Sequence, residues 1–275
     1  MISINNNDQP MTPDPGISMD YDVRHADQPI RIHTLGRFGI QIDGQALSPK
    51  KLRQQKPVEM LQCLIAQGGR GINKEFLSNA VWPEAEGDDA ANSYDVTLYR
   101  LRKILKHKDA LVAFDSRLTI NNETIWVDAW TFERLLNQVD QLMRLTENKT
   151  IDSTVINILD QAMNLYQGGF LIHESLRPWG LSMQERLRSK LMRSIIQVGG
   201  QAEALGQWQV ATHCYQTGLE IDPLYELFYQ RLMICYRDTQ RKAEALSVYQ
   251  RCRANLFTGL GVTPSLNTET IRASL

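Results

Sequence analysis

The chain has 275 residues, enough for two domains of ordinary size, each with its own core. With 43% hydrophobic and 22% charged residues it has the composition of a soluble globular protein, and no apolar run approaches the length needed to cross a bilayer. A net charge of −1 excludes a chain that binds polyanions along its whole length.

The charge is unevenly spread: net −4 over residues 1–29, +2 over 30–130 and +1 over 131–275, so any nucleic-acid surface has to be a local stripe. Residues 1–27 are rich in Asn, Asp, Pro, Gly and Ser and read as a disordered acidic tail. Their start, "MISINNNDQPMTPDPG", lacks both the basic opening and the greasy centre of a secretory signal. The expected location is therefore the cytoplasm, and the nucleoid when the chain is on DNA.

From Ile30 the pattern changes. "IRIHTLGRFGIQIDGQAL" alternates Ile30, Ile32, Ile40 and Ile42 with polar neighbours, and Asp43-Gly44 marks a turn, which predicts short antiparallel strands. In "KPVEMLQCLIAQGG", Pro57 suits a first helical turn, Leu61, Leu64 and Ile65 share a face, and Gly68-Gly69 ends the helix. A second helix starts from Asn73 as N-cap, places Phe76, Leu77 and Val81 on one side, and stops at Pro83. After the acidic loop "EAEGDD" comes a third helix, with Asp89 as its N-cap. "ALVAFDSRLTI" then gives two apolar runs around Asp115-Ser116, a hairpin. Three helices followed by a β-hairpin is the layout of a winged helix-turn-helix.

Residues 131–275 are helical by pattern, with breaks expected near Gly168-Gly169, Pro178, Gly199-Gly200, Pro223 and Gly259-Gly261. A weak repeat of 34 residues relates Val198 to Leu232, Ala202 to Tyr236, Ala211 to Ala245 and Tyr215 to Tyr249. That period, with small and aromatic residues at these offsets, suits tetratricopeptide-like hairpins, although antiparallel helices without repeat structure would also satisfy it. The aromatic residues of this half are expected in its core. The tail "GVTPSLNTETIRASL" predicts one more helix capping the last hairpin.

The third helix carries the functional signal. In "NSYDVTLYRLRKIL", Tyr94, Leu98, Leu101 and Leu105 fall within one arc. The opposite arc holds Asn92, Ser93, Val96, Tyr99, Arg100 and Lys103, flanked by Thr97 and Arg102. An ordinary solvent face mixes Glu and Lys. This one combines an amide, hydroxyls, a small apolar side chain and cations, which suits a major groove: Arg for guanine O6 and N7, Val for a thymine methyl, hydroxyls for phosphate or base. Arg117 on the hairpin is placed for an adjacent minor groove. Lys50, Lys51, Arg53 and Lys56, before or at the start of the first helix, either grip phosphate or form a solvated loop.

The segments "LGRFGIQIDG", "KPVEMLQCLIAQGG", "NKEFLSNAVWPE", "AANSYDVTLYRLRKIL" and "SRLTINNETIWVDAWTFERLL" resemble the DNA-binding half of the Streptomyces antibiotic regulatory protein family. "LYQGGFL", "PWGLSMQERLR" and "DPLYELFYQRLMICYRDTQRKAEALSVYQRCRANLFTGLGVTPS" are similar to the bacterial transcriptional activator domain that follows in that family. The likeness spans about residues 30–275, and "IWVDAWTFERLL" is closest to a subgroup of large ATP-dependent regulators. It implies a mainly α fold: a winged helix-turn-helix over 28–130, with a short β-sheet, three helices and a β-hairpin wing, then an all-α tetratricopeptide-like domain over 131–275. It further implies a transcription activator that binds direct repeats in double-stranded DNA, as a possible homodimer, and contacts RNA polymerase. The acidic loop, Glu84, Glu86, Asp88 and Asp89, becomes a candidate polymerase contact. A regulatory protein or peptide becomes a candidate partner of the helical half. Two departures stand out. Ser116-Arg117 replaces the Gly-Tyr usual before the second wing strand, and Tyr99 stands where Arg is common.

No GxxxxGK[ST], GxSxG or HExxH occurs, the five histidines are scattered, and no CxxC pair exists among Cys63, Cys214, Cys235 and Cys252. The chain is expected to be no enzyme and to need no cofactor or metal, with the four thiols buried in helices. The alternative function is a protein-interaction adaptor whose winged helix no longer binds DNA.

Overall fold

The computed structural model describes residues 28–52, 55–84, 87–145, 150–174 and 177–275. The expected acidic tail, Arg53 and Glu86 lie outside these residues, as does the side chain of Asp88. The chain opens with β1 (Ile30–His33), β2 (Gly39–Ile42) and β3 (Gln45–Ala46), antiparallel neighbours in register Ile30 to Ile42 and Gln41 to Ala46. Asp43 and Gly44 both have positive φ, as a two-residue hairpin loop matched to strand twist requires. A short α1 (Pro49–Leu52) leads into α2 (Gln55–Ala66), whose Pro57 sits in the first turn, where a missing N–H leaves no helical bond broken.

Gly69, with φ +69°, ends α2 and leaves room for Trp130. A Cβ here would lie 2.4 Å from the indole, whose Nε1 donates to the Ile65 carbonyl at 3.1 Å. The two-residue β4 (Ile72–Asn73) precedes α3 (Lys74–Val81), and Asn73 caps it by accepting from the Glu75 N–H at 2.7 Å. α4 (Gly87–Leu105) begins before the residue that the sequence predicts, so Asp89 is in its first turn instead of at its cap. An acid there still faces the positive end of the helix dipole.

A single 3-10 turn, Lys108–Ala110, leads to the hairpin β5 (Leu111–Phe114) and β6 (Arg117–Ile120), closed by Asp115 and Ser116, both with positive φ. With β4 it forms a three-stranded sheet in the order β4-β6-β5. β7 (Ile125–Val127) then returns to the first sheet and pairs with β1 in parallel, giving the order β3-β2-β1-β7.

The helical half is α5 (Asp128–Leu145), α6 (Ser153–Leu165), α7 (Pro178–Ala204), α8 (Trp208–Ile221), α9 (Glu226–Asp238), α10 (Lys242–Leu260) and α11 (Leu266–Ala273). α7 with α8, and α9 with α10, form the two predicted hairpins, and α11 closes the end against α9 and α10. The repeat positions Val198, Leu232, Ala202, Tyr236, Ala211, Ala245 and Tyr215 are buried, and Tyr249 is half-buried against the core. Ala211 and Ala245 let each second helix approach the first closely.

The break expected at Gly199-Gly200 does not occur: α7 runs through it. A Cβ on Gly199 would meet the Tyr215 ring at 2.7 Å, so this glycine admits an aromatic side chain. The packing outweighs the roughly 0.5–1 kcal/mol a helical Gly costs.

Candidate nucleic-acid interface

α4 is amphipathic in the predicted sense. Tyr94, Leu98, Leu101 and Leu105 are buried against α2 and α3, joined by Ile104. Burial raises the Tyr94 phenol, with Asp95 adding to the shift. Lys74, at the start of α3, pairs with Asp95 at 2.9 Å and stands 4.9 Å over the Tyr94 ring, fixing α3 against α4.

On the outer side Asn92, Val96, Tyr99, Arg100, Arg102 and Lys103 are exposed, Val96 at 50% and Tyr99 at 59%, and Ser93 is half-buried. Lys103 Nζ sits 4.5 Å over the Tyr99 ring. Arg102 donates to the Leu111 carbonyl at 3.2 Å, which ties the helix to the first wing strand. Arg100 has no hydrogen-bond or ion-pair partner among the described residues.

Two expected contacts need correction. Thr97 is 5% exposed and does not face outward. It lies three residues from Tyr94 and four from Leu101, which puts it on the inward ridge. Lys56 is also committed within the protein: its ammonium caps the Val81 carbonyl at the end of α3 and pairs with Glu59 at 3.1 Å. Lys50 is exposed and Lys51 half-buried on α1, and Glu84 and Asp89 are exposed.

The hairpin does not stand free. The Ser116 carbonyl accepts the Lys74 N–H at 2.8 Å, and Arg117, although exposed, donates to the Gly71 carbonyl at 2.9 Å. Phe114 beside the turn is 82% exposed, an aromatic residue the sequence reading did not single out. The winged helix therefore offers one continuous outer surface from α4 to the hairpin, while its opposite side, α2 and β1, meets α7 and α5.

Residues 127–275 match the family model described as "Bacterial transcriptional activator domain". The chain belongs to that family. Over 212 residues it is 27% identical to "Regulatory protein AfsR" of Streptomyces griseus, covering 74% of this chain and 20% of that protein, so it spans about a fifth of that relative's length. Its fold is similar to the structure titled "Mycobacterium tuberculosis EmbR in complex with low affinity phosphopeptide", with a TM-score of 0.63 at 17% identity over 90% of this chain and 65% of that one. The resemblance to Streptomyces antibiotic regulatory proteins stands.

The match to the transcriptional activator domain begins at Val127, one residue before the carboxylate that joins the two halves. Asp128, buried at the start of α5, accepts from the Thr34 N–H at 2.8 and 2.7 Å, the Thr34 hydroxyl at 2.6 Å, and the N–H groups of Leu35 at 2.9 Å and Ala129 at 2.7 Å. The next residues of the N-terminal segment pair with the "GGFL" turn: Gly36 N–H donates to Gly169, and Leu171 N–H to Thr34. Gly36 has φ +87°, and a Cβ there would sit 2.9 Å from the Gln167 carbonyl.

A second tie is ionic. Arg177 Nε lies 2.7 Å from the buried Glu59 Oε1, close enough for the charges to pair although the N–H is not aligned on that oxygen. Sequence reasoning missed both joints, since nothing near Asp128 or Glu59 in the chain names a partner.

The four cysteines are free and buried, and burial pushes each thiol up to about 12. Among the described residues no group of His, Cys, Asp and Glu could hold a metal, and no helix is long and apolar enough to cross a membrane.

Proposed function

We propose that this protein is a sequence-specific DNA-binding transcription activator, with α4 as its major-groove helix. The observation that carries this reading is the outer face of α4: Val96 and Arg100 are exposed, Arg100 is unpartnered among the described residues, and the helical half packs on the far side of the winged helix, against α2. Among the described residues, the contacts of the helical half fall on α2 and β1 and leave that face of α4 exposed. Arg100 supplies a bidentate donor for guanine and Val96 a surface for a thymine methyl. Asn92, Ser93, Tyr99, Arg102 and Lys103 reach flanking bases and phosphates, and Lys50, Lys51 and Arg117 add phosphate contacts at the margins.

In this reading the division is functional: residues 28–130 read DNA and 131–275 recruit or regulate. Glu84 and Asp89, exposed near the N-terminus of α4, form the surface offered to RNA polymerase, and direct-repeat sites seat two copies side by side. The experiment is selection of genomic fragments by the purified full chain, followed by anisotropy titration of the recovered site at two salt concentrations. A recurrent site with an affinity that falls steeply with salt supports the proposal. Failure to enrich any sequence favours an interaction adaptor, a reading to which the Lys103–Tyr99 stacking lends weight by occupying one cation of the face.

A further inference from the structure

Between α2 and the start of α7 lies a cavity of about 610 Å³, whose walls come from both halves of the chain. That volume is within the range of small-molecule sites, roughly 300–1,000 Å³. Phe38 and Val58 give it an apolar side.

The polar lining includes two buried donors that lack an acceptor. Gln62 is only 5% exposed and its Nε2 has no acceptor, and the buried Nε1 of Trp179 has none either. Buried donors are nearly always satisfied, because an unmet one keeps its full desolvation cost. Two on one cavity wall therefore point to acceptors brought by a ligand. The charged groups agree. Arg37 is exposed and has no partner among the described residues, whereas Glu59, the buried acid of this wall, is already held between Lys56 and Arg177. Glu174, the other acid of the lining, is exposed to bulk water. The groups of this wall free to meet a ligand acceptor are thus the Gln62 Nε2, the Trp179 Nε1 and the Arg37 guanidinium.

We propose that this interdomain cavity binds a small organic anion with an apolar body. Its acidic group is taken by Arg37, Gln62 and Trp179, and its body lies on Phe38 and Val58. Such a ligand holds α2 to α7 and so stabilises one arrangement of the two halves, by an amount set by its concentration relative to its Kd. The inference is independent of whether α4 binds DNA.

The test uses 1-anilinonaphthalene-8-sulfonate, an aromatic sulfonate of this class, titrated into the full chain with fluorescence excited through tryptophan. The expected result is one saturable site, displaced by decanoate and not by decanol at the same concentration. Arg37→Ala, at an exposed unpartnered position, should weaken binding about tenfold, the loss of one charge-assisted contact. Gln62→Leu should also weaken binding while raising the thermal midpoint, because it removes an orphaned donor. Equal displacement by decanol, or parental affinity in both variants, overturns the proposal. So does a site lost on Phe257→Ala, which would place the probe on the exposed apolar surface of α10 instead.

Discussion

Replacing Asp128 with Ala should cost this protein about 3–5 kcal/mol. The carboxylate accepts from two buried backbone N–H groups, Thr34 and Leu35, as well as from the Thr34 hydroxyl and the Ala129 N–H. Removing it strands the two buried amides at about 1–3 kcal/mol each, and the Ala129 N–H loses its acceptor as well. Water entering the small space returns part of that. Thr34→Val is the control: it deletes only the hydroxyl bond, leaves the carboxylate its other donors, and should cost about 1 kcal/mol. The assay is urea unfolding followed by far-UV circular dichroism and tryptophan fluorescence, with coincident curves licensing a free-energy comparison. An Asp128→Ala protein within 1 kcal/mol of the parent would refute the idea that this carboxylate is the joint between the halves.

On DNA, Arg100→Ala should flatten preference for the selected site by about 1–3 kcal/mol, whereas Lys103→Ala should weaken all duplexes evenly and lower the salt slope by about one; comparing specific with scrambled DNA separates them. Gly199→Ala, whose Cβ meets Tyr215, should lose about 1–3 kcal/mol, and Gly200→Ala, with open space around it, should gain about 0.5–1 kcal/mol in the same urea assay. Asp152 caps α6, and the Thr154 N–H and the Ser153 hydroxyl hold its carboxyl below the ordinary value. Its contribution, about 0.5–1 kcal/mol by comparison with Asp152→Ala, is complete above the ordinary carboxyl pKa of about 4 and should vanish as pH falls through the lowered folded value. All four thiols should resist a disulfide reagent at pH 8 in the folded protein and react together on unfolding; a thiol that titrates in the native state contradicts their burial.

The comparison of sequence with structure divides along one physical line. The hairpin turns at Asp43-Gly44 and Asp115-Ser116, the Asn73 cap, the amphipathic arc of α4 and the repeat that pairs Ala211 with Ala245 were all legible. Each is a dihedral preference or a periodicity expressed within a short window of chain. The capping helix at the C-terminus was expected because the end of a stack of hairpins needs a cover, and α11 supplies it.

Contacts between residues far apart in the chain carried no such local signal. The parallel pairing of β7 with β1, the Asp128 carboxylate on Thr34 and the Glu59–Arg177 pair each join segments with no local cue that names the other. The same holds for the errors. Thr97 sits on the inward ridge because α2 and α3 cover it, Lys56 is drawn to the end of α3, and α7 continues through Gly199-Gly200 because Tyr215 fills the space. The amino-acid sequence by itself settled which faces are apolar and where the chain turns. Which polar groups those faces leave open to a partner depended on what packs against them, and that is a property of the folded whole.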